Sequence, residues 1–301
     1  MDQWTTGKLQ LSYVPGYFQH DTQVTGPESG FRATTLPSLG LLARSYPTDS
    51  EYDPEGKRTQ WERFTYFMRD LNKQDQNAKY RVVYLQRHGE GFHNVKEDSV
   101  GRQEWEKHWA RQTGDGNMVW EDAKLTPRGQ EEAATIAKFW EDAMAKEKIQ
   151  PPDQYFSSPL TRCIQTARIT YGALAEMSGG TFELQVSEGL REIYGIHTCD
   201  RHGSRADLQS AFDFVRFDDD VPTVDDAWQP DLRELPDHAE ARLRSWLERR
   251  FRVGNDTFIS ATTHTGAIRA IYRAIGHPDV WVARGSLTPL LVRETVSGGQ
   301  S

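Results

Sequence analysis

Two cysteines in 301 residues, Cys163 and Cys199, are too few for a disulfide framework and lack the paired spacing of a structural zinc site. A reducing compartment fits that scarcity. No apolar run approaches the length that crosses a bilayer, and the opening MDQWTTGKLQLSYVPGYFQ has no basic stretch followed by an apolar one. The expectation is a cytoplasmic protein with no membrane association. Basic charge is short as well: 36 Lys and Arg against 44 Asp and Glu give a formal net charge of -8. That balance argues against nucleic acid as a partner, because such binders need a basic face to displace counterions. An anionic substrate would need a local arginine pocket. Neither a G-x-x-x-x-G-K-[ST] loop nor a D-x-D-x-T signature occurs, so nucleotide use of the Walker type is unsupported.

What is present is a soluble globular balance of 37% hydrophobic, 27% charged and 11% aromatic residues, with nine Trp. The length suits one large α/β domain or two small ones. Residues 1 to about 58 are rich in Gly, Pro, Ser, Thr and Asp, and predict an irregular extension packed on the main body. Trp61, Phe64, Phe67, Met68 and Leu71 recur at helical spacing, so a helix spans Gln60 to Leu71. RVVYLQ, Arg81 to Gln86, reads as a strand ending at Arg87-His88-Gly89. Thr126 as N-cap and Pro127 at the first helical position open a helix with Ala133, Ile136, Ala137 and Trp140 on one face. Tyr155 to Ser158 is extended, Pro159 to Ala173 helical and Phe182 to Val186 extended. Asp237 to Phe251 is helical, and Thr257 to Ala261 is a strand running into His264. Strands alternating with helices predict a three-layer α/β/α fold with a mostly parallel central sheet. Three motifs lie at or just after strand ends: Arg87-His88, Ser157 to Arg162, and His264. Loops at the carboxyl ends of such strands collect ligands.

Arg87 to Asn94 reads RHGEGFHN, which resembles the R-H-G-E-x-x-x-N signature of the histidine phosphatase superfamily, in the phosphoglycerate mutase-like branch. The resemblance continues through LTPRGQ (125 to 130), SSPLTRCIQTA (157 to 167), LREIYG (190 to 195) and HTG (264 to 266), in the family's order, over roughly residues 80 to 293. The N-terminal part and the segment around His197 to Arg201 look similar to the fungal phosphomutase-like subgroup. The resemblance implies a phosphoglycerate mutase-like fold, with residues 1–79 as extension and leading helix, 80–301 as the phosphatase domain, and a lid at about 188–236.

The implied reaction is hydrolysis of a small phosphoester through a phosphohistidine, without metal or cofactor. A phosphomonoester dianion needs a nucleophile, matched cations and an acid for the departing alkoxide. His88 can attack only when neutral, and guanidiniums from Arg87 and Arg162 disfavour its charged form while clamping phosphate bidentately. By family position, His264 donates to an equatorial oxygen, Glu192 is the acid and then the base for water, and Asn94 donates an amide hydrogen bond. A pKa raised by burial would suit Glu192 to that role and give a mildly acidic to neutral optimum. Asp122, Glu90 and Asp200 are rival acids, and Glu90 and His197 are further candidates for substrate binding.

Other readings stand beside these. His88, His93, His197 and His264 could form a metal cluster, although flanking arginines repel a cation. The acidic run DDDVPTVDD, 218 to 226, could bind magnesium or be a solvated loop. Phe212, Phe214, Phe217 and Trp228 would admit a hydrophobic substrate such as a prenyl phosphate, or make lid core. A phosphomutase and a non-catalytic phosphate-binding module are the alternatives to a phosphatase.

Overall fold

The strand expected at Arg81 to Gln86 is the middle of β2, Ala78–Arg87, the longest parallel strand of a seven-stranded sheet in a computed structural model. The structure describes residues 8–22, 31–177, 179–252 and 256–297. The parts of the expected extension at 1–7 and 23–30, and of the expected phosphatase domain at 178, 253–255 and 298–301, lie outside the described residues.

The remaining strands are β1 (Lys8–Tyr13), β3 (Gln154–Ser157), β4 (Leu184–Val186), β5 (Val215–Phe217), β6 (Phe258–Thr263) and β7 (Leu287–Ser297). They lie in the order β1-β7-β2-β6-β3-β4-β5. β2, β6, β3, β4 and β5 are parallel, and β7 alone runs against its neighbours β2 and β1. The fold is therefore the expected α/β sandwich with a mostly parallel sheet.

Side chains alternate across β2, as a pleated strand requires. Val82 and Tyr84 face a core shared with Trp61, Phe64, Trp140 and Tyr171, from helices Gln60–Gln74, Pro127–Glu147 and Thr161–Met177. Val83 and Leu85 face the opposite core, with Leu243, Trp246, Ile268 and Ile271 from helices Pro236–Arg252 and Thr265–Ile275. Burial on both faces explains why RVVYLQ reads as a nearly continuous apolar run. No described helix is long and apolar enough to cross a membrane.

Three places differ from expectation. Within the segment read as irregular, Lys8–Tyr13 pairs antiparallel with β7 and buries Leu9 and Leu11. Strand β7 is masked in the sequence by Pro289, which lies beyond the end of β1, where one side of β7 has no partner strand to receive an N–H. Within the expected lid, Val215–Phe217 is the outer strand of the sheet, so that part of the segment belongs to the main body.

Two glycines fix how the site loop sits. A Cβ on Gly89 would overlap the carbonyl oxygen of Gly129, and a Cβ on Gly129 would overlap that of Glu90. The loop after β2 thus lies directly against the first turn of the Pro127–Glu147 helix, capped by the Thr126 hydroxyl, which accepts from the Gly129 N–H at 3.1 Å. Gly129→Ala should destabilise the protein by about 1–3 kcal/mol, as overpacking does. A urea midpoint equal to wild type would show that the two backbones are not in contact.

Candidate active site

Register brings the three strand-end motifs level. Arg87 on β2 is opposite Thr263 on β6, and Ser157 on β3 is opposite Thr262. The next residue in each case, His88, His264 or Ser158, enters the crevice at the carboxyl edge of the sheet. The His88 N–H donates to the Thr263 carbonyl and the Ser158 N–H to the Thr262 carbonyl, both at 3.0 Å.

His88 is 3% exposed, so its ring is held by protein rather than water. Its Nδ1 is 2.7 Å from the Gly89 carbonyl, which can only accept, so the proton is on Nδ1 and Nε2 carries a lone pair. Toward that lone pair Arg162 donates from Nε at 3.3 Å. Burial, then Arg162 and Arg87, hold the imidazole pKa well below its ordinary value. The nucleophilic form is the resting form.

Arg162 is fully buried at the first turn of its helix. It donates from Nη1 to the Cys199 carbonyl at 2.6 Å and from Nη2 to Asp200 Oδ1 at 3.0 Å, and Nη2 lies 3.2 Å from His264 Nδ1. Burial opposes the guanidinium charge, yet Asp200 and its neighbours more than offset this and raise its pKa. One turn on, the Thr166 hydroxyl accepts from the Gly89 N–H at 3.2 Å and donates to the Arg162 carbonyl at 2.7 Å. The spacing of Arg162 and Thr166 in the motif is therefore a one-turn clamp on the His88 loop.

Arg87 donates from Nη1 to the Val282 carbonyl at 2.8 Å, while its buried Nε has no hydrogen-bond partner among the described residues. Burial and the neighbouring Arg284 push its pKa down to about 10, so it stays charged at neutral pH. Asn94 uses its amide oxygen on the Gly91 N–H at 3.0 Å, which leaves its NH2 for the cleft. His93 Nδ1 is also buried and without a partner among the described residues. A buried guanidinium donor left without a protein acceptor beside the cleft marks a place for an acceptor-rich group.

Glu192 accepts from the Ile193 N–H at 2.9 Å and from the Gly266 N–H at 3.1 Å, at the start of the Thr265–Ile275 helix. A Cβ on Gly266 would overlap its Oε1, which explains the glycine in His264-Thr265-Gly266. Burial and Asp200 raise the Glu192 pKa. The rival acids are otherwise engaged. Asp200 is a shared acceptor of Arg162 and Arg233, and although burial pushes its pKa up, the two guanidiniums pull it below the usual value. Asp122 lies outside the cleft lining and accepts from the Thr161 N–H at 2.8 Å and hydroxyl at 2.7 Å.

Arg87, His88, Asn94, Arg162, Glu192 and His197 therefore line one cleft of about 650 Å3. His264 lies beneath it, completely buried, with its ring 5.0 Å from that of His88 and Nε2 2.8 Å from the Ser158 hydroxyl. Arg162 Nη2 can only donate, so His264 Nδ1 is the acceptor on that side and the His264 proton sits on Nε2, donated to the Ser158 hydroxyl. Glu90 is the exception to the expected set. Its carboxylate accepts from the Thr126 hydroxyl at 2.8 Å and it does not line the cleft, so a direct substrate contact is not its position. His197 Nε2 meets Glu106 at 2.7 Å.

The four-histidine metal cluster does not form: His197 instead groups with Cys199 and Asp200, the set of donors among the described residues close enough to share an ion. Two guanidiniums already hold that Asp200. The acidic run is structural, with Asp220 accepting from Ser187 and Glu188, Asp218 paired with Arg250, and Asp225 with Arg191. Phe212, Phe214 and Phe217 pack on the main core and Trp228 donates to the His197 carbonyl, so none of the four lines the cleft. Sequence reasoning placed His93 only among metal ligands, and passed over Arg32 and Arg284. His93 sits inside the first motif, whereas the two arginines have no local signal.

The family model described as the histidine phosphatase superfamily (branch 1) matches residues 83–284. A "Probable phosphoglycerate mutase" of Arthroderma benhamiae is 37% identical over 95% of this chain and 84% of its own length. The "Probable phosphoglycerate mutase PMU1" of Saccharomyces cerevisiae is 28% identical, over 91% of this chain and 92% of its own. Among solved structures, "Mycobacterial hydrolase 1" aligns with a TM-score of 0.44 at 18% identity, covering 74% of this chain and 99% of that one.

If Asp200 orients Arg162, removing its carboxylate leaves a buried cation unpaired, which costs about 3–5 kcal/mol. Asp200→Ala should lower the melting temperature, and Asp200→Asn should weaken inhibition by vanadate, an oxyanion that stands in for the transferring phosphoryl group. Vanadate inhibition unchanged in Asp200→Asn would detach Asp200 from the phosphate pocket.

Proposed function

We propose that this chain, which belongs to the histidine phosphatase superfamily, hydrolyses a small phosphomonoester by passing the phosphoryl group through Nε2 of His88. Membership makes it a phosphoryl-transfer enzyme, and hydrolysis is the outcome the cleft supports best. The carrying observation is the Nδ1 hydrogen bond of His88 to Gly89, which leaves the Nε2 lone pair facing the Arg162 guanidinium.

In the first step Nε2 forms the N–P bond as the ester P–O bond breaks, and Glu192 gives its proton to the leaving oxygen. Arg87, Arg162 and the Asn94 amide neutralise the equatorial oxygens, with His264 behind them; one well-placed donor of this kind is worth about 10²–10³ in rate. In the second step the Glu192 carboxylate takes a proton from water as the water oxygen bonds to phosphorus and the N–P bond breaks. Inorganic phosphate leaves, His88 is again neutral and Glu192 again protonated. Glu192 is partly exposed, so water can reach it. No step asks for a metal, because the charges opposing phosphate are already arginines.

The names of the two fungal relatives favour a second reading, a mutase, in which the phosphohistidine returns its phosphoryl group to a rotated product. Product analysis separates the two: free phosphate supports hydrolysis, isomerised phosphoester supports transfer. Release measured with chelator present should disappear in His88→Ala, and equal rates in mutant and wild type would remove His88 as the nucleophile.

The pH profile follows from the two displaced groups. His88 must be neutral, which its lowered pKa permits well into the acid range, and Glu192 must be protonated, which its raised pKa prolongs upward. The kcat/KM profile should therefore fall on its alkaline side through Glu192 ionisation. Glu192→Gln should lose that limb and slow alkyl phosphate hydrolysis by about 10²–10⁴, with a smaller effect on an aryl phosphate whose leaving group needs no proton. Equal loss on both esters would take the acid role from Glu192.

A further inference from the structure

Eight arginines and four carboxylates line the cleft, in a chain whose formal net charge is -8. One phosphomonoester dianion is matched by two guanidiniums, so the cleft holds more cation than the reacting group needs. Six of the eight already sit within salt-bridge distance of a carboxylate, Arg284 with Asp98 and Arg269 with Asp279 among them. Among the described residues, the two without such a partner are Arg87 and Arg32. Arg87 adjoins His88 and serves the reacting phosphate. Arg32 is left over, and it comes from outside the family-matched segment 83–284.

The backbone sets its place. The Ala33 N–H donates to the Trp281 carbonyl at 2.7 Å, and the Ala283 N–H donates to the Ala33 carbonyl at 2.9 Å. Between them, the Val282 carbonyl accepts from Arg87 Nη1. A ladder of two hydrogen bonds thus lays the N-terminal segment along the cleft wall, with residue 282 joined to both Arg87 and the N-terminal strand segment. The Arg32 guanidinium lies 4.6 Å from the centre of the Trp281 ring, which Arg269 also covers at 4.2 Å. Stacking uses the plane of the guanidinium, fixes its orientation and leaves its edge able to donate. One edge donor goes to its neighbour Phe31, from Nη1 to the carbonyl at 2.9 Å. Arg284 directly follows Ala283 on the same wall. Both Arg32 and Arg284 are near enough to Arg87 to act on its charge.

We infer that Arg32, with the charge of Arg284 beside it, holds a second anionic group on the substrate, a phosphate or a carboxylate, so that the N-terminal segment selects phosphoesters carrying two anionic groups. The inference rests on the phosphoryl-transfer reading of the cleft. It also fits the place of the lid aromatics that would greet a prenyl chain, which are packed elsewhere.

The test uses the full chain and three matched substrates: propane-1,3-diol monophosphate, its bisphosphate, and 3-(phosphonooxy)propanoate, differing only in a terminal hydroxyl, phosphate or carboxylate. Wild type should favour one of the two substrates carrying a second anionic group over the alcohol in kcat/KM by about ten-fold or more, as a charge-assisted contact implies. Which partner wins identifies the second group. Arg32→Gln should erase that preference while Arg32→Lys restores part of it, a pattern that a purely structural role would not give. Equal kcat/KM on all three, equal proportional loss on all three in Arg32→Gln, or failure on all three while phenyl phosphate is still hydrolysed through His88, overturns the inference and leaves phosphoryl transfer standing.

Discussion

Arg162 donates toward four different parts of the fold: the imidazole of His88, the carbonyl of Cys199, the carboxylate of Asp200 and the ring of His264. A guanidinium only 1% exposed is costly unless its donors are taken up, and here protein groups take up most of them. That constraint reaches outward. Asp200 has to be ionised, which Arg233 helps to secure, and the 198–200 turn has to lie over the helix that carries Arg162. Thr166, one turn later, ties the same helix to the His88 loop.

The same charge sets the state of the imidazoles. His88, His93 and His264 are each pushed far below the ordinary histidine range, by burial first and by Arg162 second. Three neutral rings and two arginines make a pocket whose cations persist near neutral pH and whose His88 lone pair stays free of a proton there. Opposite them, Glu192 is displaced in the other direction by burial and by Asp200. Imidazoles pushed down and a carboxyl pushed up in one cleft is the separation that lets acid and base chemistry run together.

Much of this was legible because the informative residues are bound to local events. Thr126-Pro127 is a helix start, Arg87-His88-Gly89 a strand end, and Gly266 a close approach, and each leaves a mark in its own few residues. What was not legible depends on distant chain. Pro289 reads as a strand breaker until one knows that β1 stops short of it, and Lys8–Tyr13 is too short and too flanked by Gly and Pro to announce an edge strand. Glu90 belongs to a recognisable motif, yet its carboxylate is used on Thr126. Arg32 has no motif at all: it reaches the cleft through two backbone hydrogen bonds to residues about 250 positions away.

The most direct test is to mix enzyme with a rapidly cleaved aryl phosphate, quench within one turnover, and map the covalently bound phosphoryl group. The proposed mechanism predicts a phosphoramidate on Nε2 of His88, stable in alkali and lost in acid. A phosphoryl group on any other side chain, or an acid-stable ester, would contradict the account at its centre.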